Sequence, residues 1–142
     1  MIAFAAHQEI GHGLFDTEWE FVSAEHKGEF KSDQAWKHLR FRGDLRYFHG
    51  DPEGGSQGGP FYSGYYRTLK SGDLNLIELT TRDQKNKQTK INGIYKIMKG
   101  EVTFSFAGPG EEAPKSFDPS FYKIERWKKI ERQTPRPRTT LD

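Results

Sequence analysis

The 142-residue sequence has no cysteine. Disulfides, thiolate metal ligands and cysteine nucleophiles are excluded together. No stretch approaches the roughly 20 apolar residues of a membrane-spanning helix. Aliphatics are scarce, with eight Leu, eight Ile and two Val. Even with Phe added they make up about a fifth of the chain, at the edge of the range where chains stay disordered. Neither sign of charge prevails: 22 Lys and Arg face 20 Asp and Glu, so the composition is not that of a nucleic-acid binder. What the chain does have is aromatic: 11 Phe, 6 Tyr and 3 Trp. Each buried ring removes about 150–250 Å² from water, so a few rings replace many aliphatics. A chain of this length buries enough surface to fold alone, as about one domain.

Sustained helical period is also missing. Short runs at strand period are present instead, at Trp19 to Ala24, Leu39 to Arg42, Leu45 to Phe48, Tyr62 to Leu69, Leu74 to Thr81, Ile91 to Met98, Val102 to Phe106 and Phe121 to Ile130. Turn residues separate most of them, among them Gly43-Asp44, Ser71-Gly72-Asp73 and Lys99-Gly100. Eight evenly spaced strands predict a sandwich or barrel. Ser32 to His38 opens with a capping Ser and Asp and predicts one short helical turn between strands one and two. The polar loops 50–60 and 82–90 are expected to face solvent. Residues 1–13 read as an arm, 14–130 as the barrel domain and 131–142, with alternating Pro and Arg, as an extended tail. Met1 to Ala6 lacks a basic flank and runs into His7, Gln8 and Glu9, a poor export signal, so a cytoplasmic location is expected.

An eight-stranded barrel holds side chains or one small ligand. Alternation assigns Trp19, Phe21, Phe41, Tyr47, Tyr66, Leu76, Ile97 or Tyr95, Phe104 and Phe106 to the inside. Such an aromatic lining either fills the barrel or walls a pocket for an apolar molecule.

Two stretches resemble a known family. Trp19-Glu20-Phe21-Val22-Ser23 is similar to the opening strand of lipocalin-like domains. Asn92-Gly93-Ile94-Tyr95, then Gly100-Glu101-Val102 with Phe106-Ala107, then Pro109-Gly110-Glu111 and Pro114 to Phe117, resemble the signature of an uncharacterised bacterial lipocalin-like (calycin-type) domain family. Leu39 to Asp44 fits its second strand and turn, and the likeness spans about residues 14–130. The resemblance implies a small eight-stranded antiparallel up-and-down barrel and no particular activity. It also implies a structural floor in which Trp19 packs under Arg126 by cation–π contact.

Chemistry-bearing residues are few. The histidines at 7, 12, 26, 38 and 49 show no metal-ligand spacing, and no metal or cofactor is expected. His49, at a barrel mouth beside Asp51, is the best candidate for a titrating group. Glu78 is either a carboxylate inside the barrel or, if the strand is read one residue over, a solvated surface charge. The glycines at 54–59 lack the Gly-Lys-Ser/Thr of a phosphate loop and read as a flap. Lys123, Arg126, Lys128, Lys129 and Arg132 suggest a basic face, but alternation puts most aromatics opposite the charges.

The resulting expectation is a binding module without catalytic residues, for a small apolar or aromatic molecule. Its ligand set is Phe21, Phe41, Tyr47, Tyr66, Glu78, Tyr95, Phe104 and Phe106, with the tyrosines orienting the ligand. One alternative is a barrel enzyme of cyclase or isomerase type using Glu78, His49 or tyrosines. Another is a protein or nucleic-acid module using the basic last strand and tail. No membrane partner is expected, and the oligomeric state stays open.

Overall fold

The computed structural model describes residues 13–32, 37–50, 61–82 and 85–131, with the backbone alone at 61 and 62. The strands are β1 (Thr17–His26), β2 (Glu29–Lys31), β3 (His38–Phe41), β4 (Arg46–Gly50), β5 (Phe61–Ser71), β6 (Leu74–Arg82), β7 (Gln88–Met98), β8 (Glu101–Phe106) and β9 (Lys123–Lys129). Each barrel strand pairs antiparallel with the next, and β9 pairs back onto β1. β1 and β3 to β9 thus form a closed eight-stranded antiparallel barrel, all-β among the described residues. Closure removes the edge strands of the barrel itself. β2 is a short addition that continues the end of β1 and has no counterpart among the expected strands. The arm up to residue 12, residues 33–36 of the helical turn expected over Ser32 to His38, most of loop 50–60, residues 83–84 and the tail from 132 lie outside the described residues, and His38 opens β3 instead of ending a turn.

Turn chemistry accounts for the hairpins. Lys27-Gly28 and Lys99-Gly100 both have positive φ at the two central residues, the form whose twist matches a hairpin. Gly72 supplies the positive φ between β5 and β6. The β3–β4 loop instead places Leu45 at φ 67, where a side chain costs energy.

Two glycines let rings cross the wall. A Cβ at Gly93 would lie 2.7 Å from the Phe106 ring, and one at Gly64 would lie 3.1 Å from the Tyr47 ring and clash with the Thr80 carbonyl. The flat backbone leaves room for each ring on the inner face.

Residues 107–122, which carry the Pro-Gly…Pro…Phe motif, form a strap along the outer wall. The Asn92 amide donates to the Glu111 carbonyl at 2.8 Å, and the Ser105 hydroxyl to the Ser116 carbonyl at 2.7 Å. The Lys27 N–H donates to the Pro119 carbonyl, and the Lys96 ammonium sits 4.7 Å from the Phe117 ring centre. Ile94 and Ser105 point outward, yet both are fully buried. The wall is therefore covered on both sides at Ile94 and Ser105.

One irregularity matters for the interior. On β1, Phe21 faces Trp127 and Ser23 faces Arg126, so Val22 is an extra residue in a bulge. The bulge shifts the alternation, so Ala24, opposite Glu125, follows Phe21 onto the inner face.

Candidate functional site

The register decides which side chains enter the barrel. Trp19, Phe21, Leu39, Phe41, Tyr47, His49, Tyr66, Thr68, Asn75, Ile77, Leu79, Ile91, Tyr95, Ile97, Val102, Phe104, Phe106, Glu125 and Trp127 share the inner face. Leu76 does not: it pairs with Leu69 and Ile94 on the outside, and Ile77 takes the inward place expected of it.

Much of this inner face is closed. Phe41 on β3 meets Phe104 on β8 across the barrel, with ring centres 6.2 Å apart. Phe41 also meets Tyr66 edge-on at 4.9 Å and Tyr47 at 6.4 Å, and Tyr95 meets Phe104 at 6.1 Å. A ring bordering even a water-sized chamber keeps accessible surface on that side. Phe104 keeps none, Phe41 1% and Tyr66 2%. These rings fill the barrel; they do not line a pocket.

The floor is built differently from the expected stack. Arg126 alternates with the inward Glu125 and Trp127, so it points outward and pairs with Glu101 at 3.6 Å. It does not cover Trp19; Lys129 is the residue opposite Trp19. The Trp19 indole N–H donates to the Thr17 hydroxyl at 2.7 Å, and that hydroxyl donates to the Leu14 carbonyl. Leu14 is fully buried in the same cluster and closes the floor. The Tyr66 hydroxyl is also committed there, donating to the Arg42 carbonyl at 2.9 Å. Burial, with smaller contributions from Asp16 and Asp44, pushes its pKa up to about 12.

Glu78 lies on the outer face, bridged to Arg67 at 3.4 Å and Lys90 at 3.7 Å on the flanking strands. It contributes nothing to the interior. The barrel-enzyme alternative loses this carboxylate.

The other end of the barrel, where β1 finishes and β5 begins, keeps its inner side chains partly exposed. Phe21, Leu79 and Phe106 pack against the core but are only half-buried. Phe106 stacks on Phe104 at 5.1 Å, and Phe21 meets Trp127 edge-on at 5.3 Å. A polar group stands beside them. The Glu125 carboxylate, 7% exposed, accepts the Trp127 indole N–H at 2.9 Å through Oε1. Its Oε2 lies 3.1 Å from the Lys123 ammonium. His49 packs edge-on against the other side of the network, its ring 5.5 Å from Trp127. Trp127 thus links His49 on β4 to Glu125 on β9.

Of the expected ligand set, only Phe21 and Phe106 reach this end. Phe41, Tyr66 and Phe104 belong to the closed core, Tyr47 and Tyr95 are buried beside them, and Glu78 is outside. The reading of the residues missed Glu125. The signal was present as Glu125 alternating between Lys123 and Trp127, but a charged residue in a charged segment reads as surface.

The basic last strand is split. Lys123 and Lys129 fall on the inner side of the register, Arg126 and Lys128 on the outer side. A different outer patch joins arginines to rings, with Arg42 over Phe48 at 5.5 Å and Arg46 over Tyr65 at 5.6 Å. Glu18, Asp44 and Glu78 pair with Arg40, Arg42 and Arg67 in that region, which leaves little field for a polyanion.

Models of known families, curated proteins and solved structures give no match to this chain. The closed eight-stranded antiparallel barrel itself is consistent with a lipocalin-like fold. Among the described residues no helix is long and apolar enough to cross a membrane, and no three His, Asp or Glu side chains gather to hold a metal.

Proposed function

We propose that this chain is a lipocalin-like binding module that takes a small apolar or aromatic molecule at the open end of its barrel and does no chemistry on it. One observation carries the reading. Phe21, Leu79 and Phe106 stay partly exposed on the inner face at the end of the barrel that holds Glu125, while rings deeper in the barrel are closed. Partly exposed apolar side chains beside one buried polar group are the usual makings of a small-molecule site. The resemblance implies the barrel that carries this site, and the strap gives its Pro-Gly…Pro…Phe motif a structural role. On this reading the ligand sits over the filled core as in a shallow cup.

Binding of a neutral apolar dye, Nile red, tests the proposal. The protein should bind it, and Phe21→Ala and Phe106→Ala should each weaken binding by roughly tenfold, as loss of one buried ring face predicts. Absence of binding, or binding untouched by both substitutions, overturns the proposal.

A further inference from the structure

Glu125 is the unusual group in this barrel. A buried carboxylate is costly unless paired, and a buried ion pair is poor evidence of a stabilising role, because apolar residues of similar volume often serve as well. The surroundings of Glu125 suggest another use. A carboxylate has about four acceptor positions. Two are occupied, by the Trp127 indole N–H and by the Lys123 ammonium.

The two partners differ in kind. Trp127 is fully buried and sets the orientation of the carboxylate. The Lys123 side chain is 49% exposed, on a long stem at the rim. Its ammonium is free to reach water when another ammonium replaces it, and the buried carboxylate is then never left unpaired. Aromatic rings lie near the same place, with Phe21 edge-on to Trp127 and Phe106 stacked on Phe104, the cross-strand partner of Glu125. Rings grouped about a carboxylate favour an ammonium, through its charge and through cation–π contact.

We infer that the ligand is an amine with an apolar or aromatic body, whose ammonium takes the place of Lys123 on Glu125. Lys123 is the occupant when the site is empty and swings to solvent when the amine binds. Trp127 holds the carboxylate for both. The inference rests on the binding reading above and adds the chemical class of the ligand. It also sets the sign of selectivity: an anionic analogue meets Glu125 and is rejected.

Phenethylamine, its alcohol and hydrocinnamate form a matched set, read against bound Nile red and by the nuclear magnetic resonance signal of the Trp127 indole N–H. That signal is assigned with Trp127→Phe. The amine should displace the dye about tenfold more effectively than the alcohol, as expected for a charge-assisted bond, with hydrocinnamate weakest. It should also shift the indole signal. Glu125→Gln keeps an acceptor for Trp127 and should reduce the amine to the affinity of the alcohol, the two being compared within the variant. Lys123→Met removes the competing ammonium and should tighten amine binding several-fold. This variant keeps the test decisive if Glu125→Gln does not fold. Equal affinity for amine and carboxylate, or weaker amine binding in Lys123→Met, overturns the inference while leaving the binding module intact. Failure of Nile red itself to bind overturns the binding module.

Discussion

At the closed end of the barrel Phe41 meets Phe104 across the interior. At the open end Phe21 and Phe106 point inward by the same alternation and stay partly exposed. Residue type and strand period are alike in the two regions. The difference lies in what stands opposite. Phe41 faces rings from three other strands, and Leu14 and Trp19 close the floor beneath them. Phe21 and Phe106 have the core below them and no comparable buried layer above among the described residues. An inward aromatic is therefore core or binding surface according to its height in the barrel, which period alone does not encode.

The strongest way to break this comparison is to truncate one ring in each region. Phe104→Ala should cost about 3–5 kcal/mol, as a large-to-small change in a closed core does. Phe21→Ala should cost less than half of that, since part of its surface already meets solvent. Urea unfolding of both variants measures the difference, and equal costs would remove the distinction between the two regions.

Tyr66 offers a sharper view of the closed end. Tyr66→Phe removes the hydroxyl bond to the Arg42 carbonyl and should cost about 1 kcal/mol near neutral pH. The pH dependence has a defined sign. The folded-state pKa of about 12 exceeds the ordinary value of 10.0, so folding favours the neutral phenol. This contribution is fully present below pH 10 and is lost as pH rises towards 12. Melting temperatures between these limits should fall more steeply for the native chain than for Tyr66→Phe.

The loop beneath Tyr66 holds Leu45 in a left-handed conformation while leaving it 36% exposed. Leu45→Gly relieves roughly 1–2 kcal/mol of backbone cost. It gives back up to about 1 kcal/mol through the freer unfolded chain. The net expectation is a small rise in thermal stability, seen by calorimetry. A fall would show that the Leu45 side chain packs more than its exposure suggests.

Arg126→Ala should matter least, at under about 0.5 kcal/mol, because its pair with Glu101 is at the surface. A cost of about 1–2 kcal/mol, what a desolvated cation–π stack is worth, would return Arg126 to the floor that the family resemblance implies.

Most of the wall was legible from residues alone. The eight candidate strands correspond to β1 and β3 to β9 within a few residues, because alternation and turn chemistry are local properties. Inward placement was right for Trp19, Phe21, Phe41, Tyr47, Tyr66, Phe104 and Phe106. It failed at Leu76, where a run containing Leu74, Leu76, Ile77 and Leu79 has apolar residues in both phases. Leu76 instead pairs with Leu69 and Ile94 in an apolar row on the outer wall, which the run itself does not distinguish from the inner one. The site was less legible. Glu125 and Lys123 look like surface charges in the sequence, and Glu78 looked like the carboxylate that interrupts an apolar face.

The sequence by itself determined that this chain makes an aromatic-rich all-β fold, a sandwich or a barrel, without cysteine chemistry. Few aliphatics suffice when only the inner half of each strand must be apolar, and rings supply the missing area. The tertiary structure alone decided whether those rings fill the barrel or line it. That outcome depends on contacts across the interior between strands far apart in the chain, and on a one-residue bulge at Val22 that brings Ala24 inward opposite Glu125. Local pattern selects a face; only closure of the sheet decides what meets on it.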